Sequence, residues 1–101
     1  MDGGVYADPW LGCKHMPRRG TRSPEGQRFG ENLRRIRKER GLSQEALAEA
    51  ANMTADYLGF IERGDNVPTL TVILKLAKAL NIDAGDLLAE FTAPMLKRLK
   101  L

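Results

Sequence analysis

The sequence predicts an all-α fold, a compact five-helix domain behind a flexible arm. Three observations predict it. Side chains suited to N-capping stand at Ser23, Ser43, Thr54 and Asp83; apolar residues behind them recur at intervals of three and four; and Gly41, Gly64 and Asn81 close the segments. The 101 residues have room for one domain. We divide them into an arm over 1–22, a helical domain over 23–92 and an apolar tail over 93–101.

The arm is rich in glycine and proline (Gly3, Gly4, Gly12, Gly20, Pro9, Pro17) without a sustained period, and Met16 within it is an alternative start. Ser23 then caps a first helix running to about Arg40, with Pro24 where its missing N–H costs nothing and Phe29, Leu33 and Ile36 on one face. Gly41 stops it. Ser43 caps a second, whose inner face is assigned to Ala46, Leu47, Ala50 and Ala51. After a short break at Asn52 and Met53, Thr54 caps a third helix through about Arg63, with Leu58 and Ile61 inward and Gly64 as its end. Pro68 and Thr69 restart the chain, and Leu70, Ile73, Leu76, Ala77 and Leu80 form the clearest helical stripe. Asn81 suits a left-handed stop, and Asp83 caps a short fifth helix with Leu87, Leu88 and Phe91 on its apolar side. Pro94 either breaks that helix or opens a final turn bearing Met95, Leu96, Leu99 and Leu101.

The 43% hydrophobic and 29% charged fractions suit a soluble globular protein, and no run approaches the roughly 18 apolar residues of a membrane helix. The start, MDGGVYADPWLGCKH, does not read as a secretory signal, and the lone Cys13 forms no internal disulfide. A cytoplasmic, nucleoid-associated location is the expectation, with no membrane partner. The net charge of +3 suits an anionic partner. Its distribution is uneven: residues 27–42 carry six basic groups against two acidic, residues 43–64 one against four.

Two short helices joined by a tight turn within a small bundle let the second project into the major groove while the first crosses the backbone. The stretch Gly41 to Leu70 carries S-Q-E-x-L-A, Y-L-x-x-I-E-R-G and P-T-L in that order. In these elements the chain resembles the lambda-repressor-like helix-turn-helix family that includes the Cro proteins, over about 70 residues, with the helix-turn-helix at about 43–64. The resemblance implies double-stranded DNA as the partner and no cofactor. It places Gln44 on a DNA phosphate through its side chain and amide, and a helix N-terminus favours such an anion. Ser43, Arg37 and Asn66 are grouped with it as phosphate contacts. The family also implies a structural ion pair between Arg37 and Glu62.

Base or groove reading falls by the same resemblance to Thr54, Ala55, Asp56, Gly59 and Phe60, with Tyr57 at the edge. Here the sequence departs from the family, because no arginine, lysine, glutamine or asparagine stands among them. Ala55 and Phe60 suit thymine methyl groups. Asp56 either accepts from a cytosine amino group or steadies the positive end of its helix. Gly59, costly in mid-helix, suggests close approach by a backbone of DNA or protein, and Phe60 suggests a base contact or a protein interface. Arg18, Arg19 and Arg22 either reach a neighbouring minor groove or form a solvated tail. Cys13 and His15 are too few for a metal site.

The function expected is a transcriptional regulator, homodimeric on a two-fold operator, with Phe91, Met95, Leu96 and Leu99 as dimer contacts unless they merely cover the first and fourth helices. The acidic balance of 43–64 leaves a second reading open, a protein-interaction adaptor with weakened DNA binding. An enzyme is not expected, since the single histidine lies in the arm and no glycine-rich phosphate loop is present. Nor is a small-molecule effector, because little chain follows residue 91.

Overall fold

The computed structural model describes residues 22–99 and residue 101, so the expectations for Cys13, His15, Arg18 and Arg19 lie outside it. Among the described residues the fold is all-helical: α1 (Pro24–Glu39), α2 (Gln44–Ala50), α3 (Ala55–Glu62), α4 (Leu70–Leu80), α5 (Ala84–Leu87) and α6 (Ala93–Arg98). Local chemistry sets the starts. The hydroxyl oxygens of Ser23, Ser43, Thr54 and Thr69 accept from the backbone N–H three residues on, at 3.0–3.2 Å. Ahead of α5 the Asp86 carboxylate accepts from the Asp83 N–H at 3.2 Å. The ends follow equally local rules, with left-handed backbone at Gly41, Asn52, Gly64 and Asn81 (φ 58–79°).

Side chains from five helices make one core. Phe29, Leu33 and Ile36 of α1 meet Leu47 and Ala48 of α2, Leu58 and Ile61 of α3, Leu76, Ala77 and Leu80 of α4, and Leu87 of α5. Each large aliphatic side chain among them contributes about 1.5–3 kcal/mol by leaving water. α1 packs on α3 and α5, α2 on α3 and α4, and α4 on α5. The α1–α3 crossing is the tightest: a Cβ on Gly30 would lie 2.3 Å from the Ile61 carbonyl oxygen and 2.5 Å from that of Glu62. Only glycine fits there. Asn32 ties α1 to the end of α5, its side-chain amide donating to the Leu87 carbonyl at 3.0 Å.

Three expectations are corrected. Ala46 and Ala50 are exposed, whereas Ala48 joins Leu47 and Ala51 in the core. In a seven-residue helix, small residues on neighbouring faces leave the burial arc ambiguous until α3 and α4 are docked. The stripe of α4 is also shifted, with Leu70 67% exposed and Ile73 only half-buried. Finally, α5 ends at Leu87, which leaves Leu88 exposed, and Thr92 caps a sixth helix with Pro94 in its first turn. The alternatives at Pro94 resolve toward opening a helix. The structure also carries Arg22 against the domain, bound to Asp65 at 2.9 Å. No helix among the described residues is long and apolar enough to cross a membrane.

Candidate nucleic-acid interface

α2 and α3 are joined by four residues, 51–54, so that Gln44 at the start of α2 sits beside the end of α3. The link is chemical. Gln44 Nε2 donates to Glu62 Oε1 at 2.9 Å. Glu62 is gripped from α1 by Arg37, whose Nε and Nη2 donate to Oε2 and Oε1 at 2.6 and 3.1 Å. The Nη1 of Arg37 donates to the Leu42 carbonyl at 2.8 Å, tying the same guanidinium to the segment before α2. One arginine thus fixes the relative positions of α1, α2 and α3.

Burial decides what this pair can do. The side chains of Arg37 and Glu62 are 8% and 2% exposed. The Arg37 guanidinium meets the Glu62 carboxylate as a fork of donors, the geometry of a charge-assisted pair. All three nitrogens of Arg37 are engaged inside the protein, so its geometry is that of a brace, with 8% of the side chain left at the surface for the expected phosphate contact. Gln44 is half-buried at the rim of the same network.

The expected reading residues divide. Thr54 is exposed and caps α3, and Asp56 is exposed in its first turn. Ala55 and Tyr57 instead pack against the core, and burial pushes the Tyr57 hydroxyl above its usual pKa. Gly59 is buried and Phe60 half-buried. Ser43 is exposed and Asn66 half-buried in the segment after α3.

Sequence reasoning passed over Arg63, the C-cap of α3. Its guanidinium carbon lies 5.1 Å from the centre of the Phe60 ring, and its Nε donates to Asp65 at 3.2 Å. A Cβ on Gly59 would come within 3.2 Å of Arg63 Nη1 and 3.9 Å of Gln44 Nε2. The missing side chain eases the approach of Arg63, whereas Gln44 would be in ordinary contact with it. Spacing was the available signal, since Gly59, Phe60 and Arg63 stand at i, i+1 and i+4 on one helix. Asp65 also receives two hydrogen bonds from Arg22, at 2.9 and 3.1 Å. Those bonds, with Arg63's behind them, hold its carboxyl below the usual carboxylate range. Arg34, also unremarked in the sequence, borders a shallow cleft between α1 and α3 together with Arg22, Glu62 and Arg63.

The expected dimer residues also divide. Phe91 packs against the core, Met95 and Leu99 are half-buried, and Leu96 is 44% exposed. Two further apolar side chains of α4, Leu70 and Leu74, are 67% and 49% exposed.

This arrangement has known counterparts. The family model described as Helix-turn-helix matches residues 33–87, more than half the chain, from the core face of α1 to the end of α5. The chain is 38% identical over 63 residues to the uncharacterized HTH-type transcriptional regulator YazB of Bacillus subtilis, covering 62% of this chain and 91% of that protein. The restriction-modification controller protein C.AhdI from Aeromonas hydrophila superposes with a TM-score of 0.62 at 43% identity, covering 62% of this chain and 96% of that one. The P22 c2 repressor, solved with a synthetic operator, superposes with a TM-score of 0.55 at 29% identity over 58% of this chain and 89% of its own. On its sequence and on its fold alike, the chain belongs to the helix-turn-helix family.

Proposed function

We propose that the protein is a sequence-specific DNA-binding transcriptional regulator that acts as a homodimer on a two-fold operator at the nucleoid. The observation that carries this reading is Gln44, held at the N-terminus of α2 by Glu62 and beside the outward edge of α3. A helix start directs free N–H groups and partial positive charge at a phosphate, while the next helix is offered to the major groove. The P22 c2 repressor, named for its operator complex, and C.AhdI, named as a controller, support the same use of the fold. Phosphate contact is assigned to Ser43, Gln44 and Asn66, and groove contact to Thr54, Asp56 and Phe60.

For dimerisation, the exposed Leu96 beside Met95 and Leu99 on the last turn of chain supports the C-terminal surface. Light scattering of the full chain at micromolar concentration is expected to give two copies, and a strict monomer would remove this part of the proposal.

Binding to a pool of random duplexes across a salt series tests the central claim. The logarithm of the binding constant should fall with log salt by about 0.9 for each phosphate neutralised. Absence of duplex binding at low salt would favour a protein-interaction adaptor, a reading supported by the four acidic groups against one basic between 43 and 64.

A further inference from the structure

The outward face of α3 is poor in donors by sequence, yet its best donor comes from its end. Arg63 folds back along the helix, and its Nη1 lies 3.2 Å from where a Cβ on residue 59 would stand. Phe60 supplies a platform for the guanidinium at 5.1 Å. Asp65 accepts from Nε, the inner edge of the fork. Both contacts reduce the rotamer freedom of a long side chain before any partner arrives, and the carboxylate offsets its charge. A guanidinium oriented in this way loses attraction for phosphates in general but keeps the paired Nη1 and Nη2 hydrogens of its outer edge. That edge matches the O6 and N7 acceptors of guanine in the major groove.

The geometry points to Arg63 as the residue that reads a guanine in each half-site, with Gly59 making the space and Phe60 and Asp65 holding the orientation. The assignment rests on the DNA-binding function proposed above and names its specificity-determining side chain. It also gives Gly59 a reason: the backbone there is kept bare for an arginine of the same helix.

Selection of duplexes from a random pool by the full chain, by Arg63→Ala and by Gly59→Ala tests the assignment. The wild type is expected to require guanine at one position of each half-site by about tenfold or more, and Arg63→Ala to lose that preference while other positions keep theirs. Replacing the N7 of that guanine by C–H should weaken the wild type by a comparable factor and leave Arg63→Ala unchanged. Arg63→Lys keeps the charge without the fork and is expected to behave as the alanine variant does at that base. Gly59→Ala should push the guanidinium by a few tenths of an ångström and weaken the same preference in part, while melting no lower than the wild type, since alanine favours the helix and the contact is with a flexible side-chain end. Equal weakening of all duplexes by Arg63→Ala, with the salt slope reduced by about 0.9, would make Arg63 a phosphate contact and overturn the inference, leaving the regulator in place. No duplex binding by the wild type would instead overturn the function on which the inference rests.

Discussion

Two arginine–carboxylate clusters lie at the end of α3, one facing inward and one outward. Arg37 and Glu62 are almost wholly buried, joined by two hydrogen bonds that Arg37 of α1 donates to Glu62 of α3. Arg63 and Arg22 share Asp65 with their own side chains 55% and 46% exposed. Adjacent residues, Glu62 and Arg63, therefore belong to opposite regimes. In the first, desolvation makes a missing partner costly and the geometry rigid; in the second, water screens the charges and each partner can be exchanged for another. The inner cluster holds the scaffold, and the outer one, more exposed, is where we place recognition.

The largest effect should follow from breaking the inner cluster. Glu62→Gln leaves Arg37 charged and uncompensated in the interior, and denaturant unfolding should show a loss of about 3–5 kcal/mol. Replacing both partners with apolar residues, Arg37→Met with Glu62→Leu, should recover much of that loss. If it does not, the pair is needed for its connections to Leu42 and Gln44 beyond its own charge balance. Next in size is Gly30→Ala, which drives a methyl group against two backbone carbonyls of α3. Thermal and denaturant unfolding should report a loss of about 1–3 kcal/mol or more, because a carbonyl cannot turn aside as a side chain can.

Gln44 stands between the two regimes, anchored to the inner cluster and half-open to solvent. Gln44→Ala should leave the melting curve nearly unchanged and weaken all duplexes alike, by about 1.5–3 kcal/mol if its amide contacts a phosphate. A change in base preference would move Gln44 out of the positioning role.

The contrast also explains what could be read from the sequence. Caps and stops were legible at Ser23, Ser43, Thr54, Asp83, Gly41, Gly64 and Asn81 because each acts through a hydrogen bond or a backbone angle within about one turn. The apolar faces of α1 and α3 were legible too, since Leu33, Leu58 and Ile61 leave only one side to bury. α2 was not, because alanine surrounds Leu47 and only the docking of neighbouring helices selects Ala48 over Ala46. Gly30 carries no local signal: its meaning lies in a helix that follows it by some thirty residues. The family resemblance located Gln44 and the Arg37–Glu62 pair. The role proposed for Arg63 is hidden in the sequence because the early outward positions of α3 carry no long donor, whereas this one reaches the surface by folding back past a glycine.

The smallest effect should come from the outer cluster, and pH isolates it. Asp65 has its pKa lowered, first by the hydrogen bonds from Arg22 and then by Arg63. A carboxyl with a depressed folded-state pKa contributes stability that is fully present above its unfolded value, about 3.9 for aspartate, and is lost as pH falls through the folded value below it. Asp65→Asn should therefore be slightly less stable than the wild type at neutral pH, and the gap should close as pH drops below about 4. Exposure keeps the gap small, and salt should narrow it further. A gap that persists at low pH would mean that the aspartate acts through the loop backbone after α3 and not through its two arginines. A gap that closes would assign the contribution of Asp65 to its charge beside Arg22 and Arg63, the contact that also orients Arg63.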